Sequence, residues 1–259
     1  MKNDLFTIGP LTIHGYGLMI ALGFFAAYVS AEYRAKKIGL DPDQLFNLTI
    51  CSMVSGLLSA KLLYYITIIQ DIIEDPSLLL DVTDGFVVYG GIIGGILAGY
   101  VFSRVKKMDF WKYFDLVVPS IALAQSFGRV GCLLAGCCYG VETSHPIGMV
   151  FHNSQFAPNG IPLVPTQIIS SGLNFLHFLL LIVFAKHKKA DGQVAGLYLI
   201  CYSIGRFVLE FYRGDLIRGS VGRLSTSQFI SIFVCAAGVI LFCMAGKINK
   251  EKAAGEGEL

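Results

Sequence analysis

The sequence predicts an all-α fold: a polytopic integral membrane protein of about seven transmembrane helices, with the N-terminus outside and the C-terminus cytoplasmic. Three observations predict it. Hydrophobic residues make up 54% of the 259 and charged residues only 15%, with a mean hydropathy of +0.65. Soluble domains carry about 25% charge; so apolar a surface suits lipid rather than water. Apolar runs long enough to cross the hydrocarbon recur along the whole chain. Lysines gather in alternate connections between them, as the positive-inside rule requires of cytoplasmic loops.

The first apolar run, Tyr16 to Val29, is followed by Arg34, Lys36 and Lys37 and lacks a small-residue cleavage pattern. It reads as a retained span rather than a signal peptide. The spans are expected near 13–33, 44–68, 86–103, 112–130, 164–185, 193–212 and 226–246. Pro119 interrupts the fourth, which also carries Gln125; membrane helices accept Pro where neighbours satisfy the freed backbone groups. The first connection is basic. The second holds Asp71, Glu74, Asp75, Asp81 and Asp84 and no Lys or Arg. The third holds Arg104, Lys106 and Lys107, with Lys112 close behind. The fourth, 131–163, has no Lys or Arg and is expected on the outer face. The fifth holds Lys186, Lys188 and Lys189, and the tail holds Lys247, Lys250 and Lys252. Residues 1–246 read as a single membrane domain and 247–259 as a polar cytoplasmic tail, frayed from Glu251 to Leu259. The sixth connection, outside, breaks the alternation with Arg213, Arg218 and Arg223. Arginines placed against the rule point to an anionic partner. The net charge of +2 is spread in short clusters and gives no sign of a nucleic-acid partner.

A charged side chain inside a span costs roughly 2.5–3.5 kcal/mol on insertion scales, so it needs a partner or a task. Tyr202, Arg206 and Glu210 stand at i, i+4 and i+8, with Arg213 at i+11, and share one helix face. Two readings follow: an Arg–Glu pair that locks helices together, or a polar stripe facing a cavity, with Arg206 oriented by Glu210 to receive an anion. Arginine suits phosphate because its planar fork donates two parallel hydrogen bonds and stays charged. The run Gly128 to Gly140 carries four glycines around Arg129. Such a run either forms an anion-binding concavity of backbone N–H groups or serves close helix packing. The run Gly85 to Gly95 reads as a close-packed helix start. Tyr89 within it, and His14 and Tyr16 at the opening of the first span, stand where interfacial aromatics are common.

Of seven cysteines, Cys51, Cys201, Cys235 and Cys243 lie in spans as small apolar filler. Cys132, Cys137 and Cys138 cluster at the outer face. Three thiols without a fourth ligand match structural zinc patterns poorly. In an oxidising compartment Cys132 has Cys137 or Cys138 as a disulfide partner, so a thiol redox protein is one rival class. A transporter or lipid-binding membrane protein is another, although neither related halves nor matched broken helices are evident.

With these residues in view, the chain resembles the prolipoprotein diacylglyceryl transferase family over nearly its whole length. Ile8-Gly9-Pro10, His14 and Tyr16-Gly17-Leu18-Met19 resemble the family's N-terminus. Ala60-Lys61-Leu62 with Tyr64 resembles its second-span motif, and the Gly128–Gly140 run its signature. Pro165-Thr166-Gln167 resembles its Pro-Thr/Ser-Gln motif. Arg206-Phe207, Glu210-Phe211, Arg213 and Asp215 resemble the penultimate span, and Leu224-Ser225 with Gln228 the start of the last. The chain departs from the pattern at Cys132 and Ala135, where Asn is usual, at Cys137, where Glu is usual, and at Tyr89 and Val164, where His is usual. Arg129, Arg206, Glu210, Tyr16, Tyr202 and Gly140 follow it.

The resemblance implies transfer of the diacylglyceryl group of phosphatidylglycerol to the lipobox cysteine thiol of a prolipoprotein, in the bacterial cytoplasmic (inner) membrane. Arg129, Arg206, Glu210 and Tyr89 are the expected catalytic residues. Tyr16, His14, Gly128, Gly131, Gly140, Tyr202 and Arg213 are expected to bind the phospholipid. The expected partners are phosphatidylglycerol, the prolipoprotein signal peptide and membrane lipids; neither metal nor cofactor is required. The base is the weakest assignment. Tyr has an ordinary pKa near 10, which makes Tyr89 a poor proton acceptor, and His14 is the nearest histidine. His145 and His152 fall in the outer loop, His177 in an apolar span and His187 in a basic connection.

Overall fold

The computed structural model describes residues 4–8, 11–80, 85–215 and 219–256. Gly9, Pro10, Asp81, Asp84, Arg218 and the last three tail residues lie outside the described residues. A hairpin of β1 (Asp4–Ile8) and β2 (Leu11–His14) leads into α1 (Gly15–Lys37) and α2 (Pro42–Thr67). The short α3 (Ile69–Glu74) and a 3₁₀ turn (Pro76–Leu80) precede α4 (Val88–Val105) and α5 (Phe110–Ala135). After a long loop holding β3 (Met149–Val150) and β4 (Pro162–Leu163) come α6 (Thr166–Ala185) and α7 (Gln193–Glu210). The hairpin β5 (Ser220–Val221) and β6 (Leu224–Ser225) opens α8 (Thr226–Glu256). Seven long helices thus fall on the seven apolar runs. Six are long and apolar enough to cross a membrane; α7, which carries Arg206 and Glu210, is not among them. The helical backbone of α8 continues to Glu256, further than the frayed tail expected from Glu251.

Two compact units divide the chain, one of residues 32–113 and one of residues 1–31 with 114–259. In the smaller unit α2 and α4 pack through small residues, as the run Gly85 to Gly95 predicts. A Cβ at Gly90 would stand 2.5 Å from the Ser59 carbonyl oxygen, and one at Gly94 would overlap the Ser59 side chain. Lipid gives helices no hydrophobic reason to associate, so close backbone approach supplies the contact.

In the larger unit Val118, Ala122, Leu181, Val194 and Ala195 form a core between α5, α6 and α7. Helix α5 runs continuously through the fully buried Pro119. The start of α7 is capped from outside: its N-cap is Gly192, with no side chain to offer. Asp115 of α5 takes its place, accepting from the N–H groups of Gly192 (2.9 Å) and Ala195 (3.0 Å). A carboxylate at a helix N-terminus satisfies orphan donors and faces the positive end of the helix dipole. Lys188, 2.9 Å from Asp115 and 2.6 Å from Asp191, balances the buried charge. Burial works against the Lys188 charge, but hydrogen bonds to Asp191 and Asp115 outweigh it and raise its pKa.

The start of α8 is a reciprocal capping box. Ser225 Oγ accepts from the Gln228 N–H, and Gln228 Oε1 accepts from the Ser225 N–H, each at 3.1 Å. The two capped starts fix the lengthwise positions of α7 and α8, and with them Arg206 and Ser227.

Candidate functional site

A cavity of about 350 Å³ lies between α5, α6 and α7 in the larger unit. Arg129 lines it from α5, Ser170, Asn174 and His177 from α6, and Tyr202 and Arg206 from α7; leucines supply much of the rest. The sequence spacing explains the α6 stripe, because Ser170, Asn174 and His177 stand at i, i+4 and i+7. This polar stripe was legible in the sequence but hidden by the apolar residues around it.

The two arginines differ in their partners. Arg206 lies 2.8 Å from Glu210 Oε2 and donates from Nη2 to Ser227 Oγ at 2.8 Å. The Glu210 contact is an ion pair rather than an aligned hydrogen bond, since that oxygen accepts none. Arg129 has no carboxylate partner among the described residues. Tyr202 stacks on Tyr198 with centroids 5.7 Å apart, and Tyr198 stacks on His177 at 5.2 Å. His177 is buried, and among the described residues its Nε2 has no hydrogen-bond partner. A third guanidinium, Arg213, donates to both oxygens of Asp215 at 2.8 and 2.5 Å. Burial opposes its charge, and Asp215 more than offsets this, so its pKa stands above the ordinary value. Arg213 is therefore already committed to a carboxylate. Arg223 lies at the exposed turn of the β5–β6 hairpin.

The glycine-rich run around Arg129 is built by backbone rules. Helix α5 ends in a Schellman motif: the Cys137 N–H reaches the Cys132 carbonyl and the Gly136 N–H the Leu133 carbonyl, each at 3.1 Å. Gly136 supplies the required left-handed residue, with φ of +77°. Cys138 is also left-handed, at φ of 59°. Side chains at the start of α6 hold this turn: Thr166 Oγ1 donates to the Cys138 carbonyl and Gln167 Nε2 to the Cys137 carbonyl, both at 2.9 Å. The chain then weaves into the segment after α7. Val141 N–H reaches Tyr212 O (2.9 Å) and Gly214 N–H reaches Tyr139 O (3.0 Å). A Cβ at Gly140 would stand 2.4 Å from the Val164 carbonyl oxygen. One at Gly131 would press on Tyr16, 3.1 Å from its ring. Gly131 and Gly140 are thus packing positions, whereas Gly128 faces open space.

Tyr16, at the start of α1, lies within electrostatic reach of Arg129 and of the three clustered cysteines. His14, at the end of β2, is exposed. Tyr89 belongs to the smaller unit and is half exposed at the start of α4. The structure therefore brings Tyr16, Arg129, Tyr202, Arg206, Glu210 and Arg213 into one unit, together with the unforeseen Ser170, Asn174 and His177.

The family model for prolipoprotein diacylglyceryl transferase matches residues 3–244. A phosphatidylglycerol–prolipoprotein diacylglyceryl transferase of Clostridium tetani is 50% identical over 93% of this chain and 97% of its own length. The chain belongs to the prolipoprotein diacylglyceryl transferase family. A second family member, from Clostridium perfringens, is 48% identical over 99% of this chain and all of its own. One from Clostridioides difficile is 32% identical over 99% of this chain. Within this family the chain is a multi-pass membrane protein of mostly helical structure.

Proposed function

We propose that the chain transfers the diacylglyceryl group of phosphatidylglycerol to the thiol of a prolipoprotein's lipobox cysteine, forming a thioether. The relatives carry this activity in their names. The observation that carries the reading is the meeting of Arg129 and Arg206 on one cavity between helices. The acceptor thiolate attacks an sp³ carbon of the glyceryl group; the S–C bond forms, the C–O bond breaks, and glycerol phosphate leaves with the electron pair. A thiol of ordinary pKa near 8.5 is only a few per cent ionised at neutral pH. The proton therefore passes to water or to an oxygen of the leaving phosphate.

The leaving phosphate gains negative charge as the C–O bond breaks. Fixed guanidinium donors in a cavity whose wall includes four leucines stabilise that charge more than water does. Arg129 and Arg206 clamp the phosphate in this scheme. Glu210 holds Arg206 near the cavity and lowers the cost of burying its charge, and Tyr16 and Tyr202 add hydrogen bonds. Acyl chains find the leucines of α6 and surrounding membrane lipid. The remaining topology completes the proposal: α7 is the sixth of seven spans, the N-terminus and the glycine-rich turn face outward, and the membrane is the bacterial inner membrane.

The test is lipidation of a lipoprotein precursor, read as a gel shift, in cells depleted of their own transferase. Wild type restores the shifted band, and Arg206→Ala does not. A well-expressed wild-type protein that leaves the precursor unmodified would overturn the proposal.

A further inference from the structure

The transfer step as proposed does not use Cys132, Cys137 or Cys138, yet the fold gathers them. Their sulfur atoms all lie within 4.8 Å of one another. Zinc–thiolate bonds of about 2.3 Å place sulfurs about 3.8 Å apart in a tetrahedral site and about 4.0 Å apart in a trigonal one. The cluster is thus within about 1 Å of the spacing that one such ion demands. The backbone holds it there: the Schellman turn folds Cys137 back over Cys132, with Cys137 Sγ 3.7 Å from the Cys132 carbonyl oxygen. Thr166 and Gln167 fix the carbonyls of Cys138 and Cys137. The left-handed conformation of Cys138, uncommon for a residue with a side chain, gives that thiol a different direction from its neighbour.

We propose that Cys132, Cys137 and Cys138 form a three-thiolate binding site for a soft divalent metal ion of the zinc and cadmium class, beside the arginine cavity. Sulfur ligands select soft ions over magnesium or calcium, which require oxygen. A divalent ion on three thiolates leaves one net negative charge, and Arg129 and Arg213 both act electrostatically on Cys138. Each protonated thiol releases its proton to water as its metal–sulfur bond forms, so affinity rises with pH. The complex places negative charge beside Arg129, where the lipid phosphate is proposed to bind, so the occupied site weakens phospholipid binding.

The test uses the full-length protein purified in detergent, with cadmium as the probe. Titration followed by sulfur-to-cadmium charge-transfer absorbance is expected to saturate at one ion per chain. Alkylation and mass spectrometry of the wild type are expected to find Cys132, Cys137 and Cys138 protected together by cadmium, with Cys51 unchanged. Cys138→Ser is expected to weaken binding at least tenfold. No uptake, or protection of two or fewer of the three thiols, overturns the proposal and needs no variant to fold. Cadmium is also expected to slow lipidation by wild type but not by the triple Cys→Ser variant; equal slowing of both places the inhibitory ion elsewhere. The binding readout involves no lipid substrate, so it stands apart from the transferase reading.

Discussion

Arg129 and Arg206 differ in how their charge is balanced. Arg206 already has Glu210 and Ser227, whereas Arg129 has no carboxylate among the described residues. Removing either donor to a developing charge is expected to slow transfer by about 10²–10³-fold, the loss seen when one fixed donor is deleted from an oxyanion site. Lipidation rates of Arg129→Ala and Arg206→Ala measure this. Arg206→Lys keeps the charge but loses the two-pronged donor geometry, and its rate is expected to stay well below wild type. Gly140 makes a structural prediction. Its missing Cβ leaves room for the Val164 carbonyl at the weave beside the site, so Gly140→Ala is expected to destabilise the protein by about 1–3 kcal/mol, read as a lowered thermal transition in detergent.

At the scale of elements, α7 owes its position to a carboxylate on another helix. Asp115 is almost fully buried and satisfies two N–H groups and Lys188 at once. Asp115→Ala leaves two orphan donors and takes one of two carboxylate partners from Lys188, with an expected cost of about 1–3 kcal/mol and a loss of activity through the displaced Arg206. The network also has a pH signature. Because the Lys188 pKa is raised on folding, its stabilisation is full below the unfolded lysine value near 10.4 and disappears as pH rises through the higher folded value. Thermal unfolding across alkaline pH is expected to show this step in wild type and not in Lys188→Met. The capping box of α8 is the milder device: Ser225→Ala is expected to cost about 1 kcal/mol.

For the whole molecule, the Lys-rich connections predict an odd number of spans with the ends on opposite sides. A fluorescent-protein fusion at the C-terminus is expected to glow, and an alkaline phosphatase fusion in the loop 141–160 to be active. An inactive fusion in that loop would contradict the outward glycine-rich turn. The count turns on whether α7, which carries Arg206 and Glu210, crosses the membrane. A half-polar helix of this kind is stable in lipid only where a protein cavity covers its polar face, as α5 and α6 do for Arg206.

Local chemistry determined much of this protein. Apolar run length located all seven long helices, because backbone groups in lipid must be satisfied within the segment. Loop lysines predict an orientation that the fusions above test, and the i, i+4, i+8 spacing put Tyr202, Arg206 and Glu210 on one face. Tertiary structure decided what depends on residues far apart in sequence. It brought Arg129 of α5 to Arg206 of α7, set Asp115 against the start of α7, and turned His177 from an anonymous residue in an apolar run into part of a cavity wall. It also separated the glycines that a motif lumps together: Gly136 ends a helix, Gly131 and Gly140 make room for neighbours, and Gly128 faces open space. The physical reason is the same in each case. Period and composition are properties of one segment, whereas a cavity, a borrowed cap and a close approach exist only between segments.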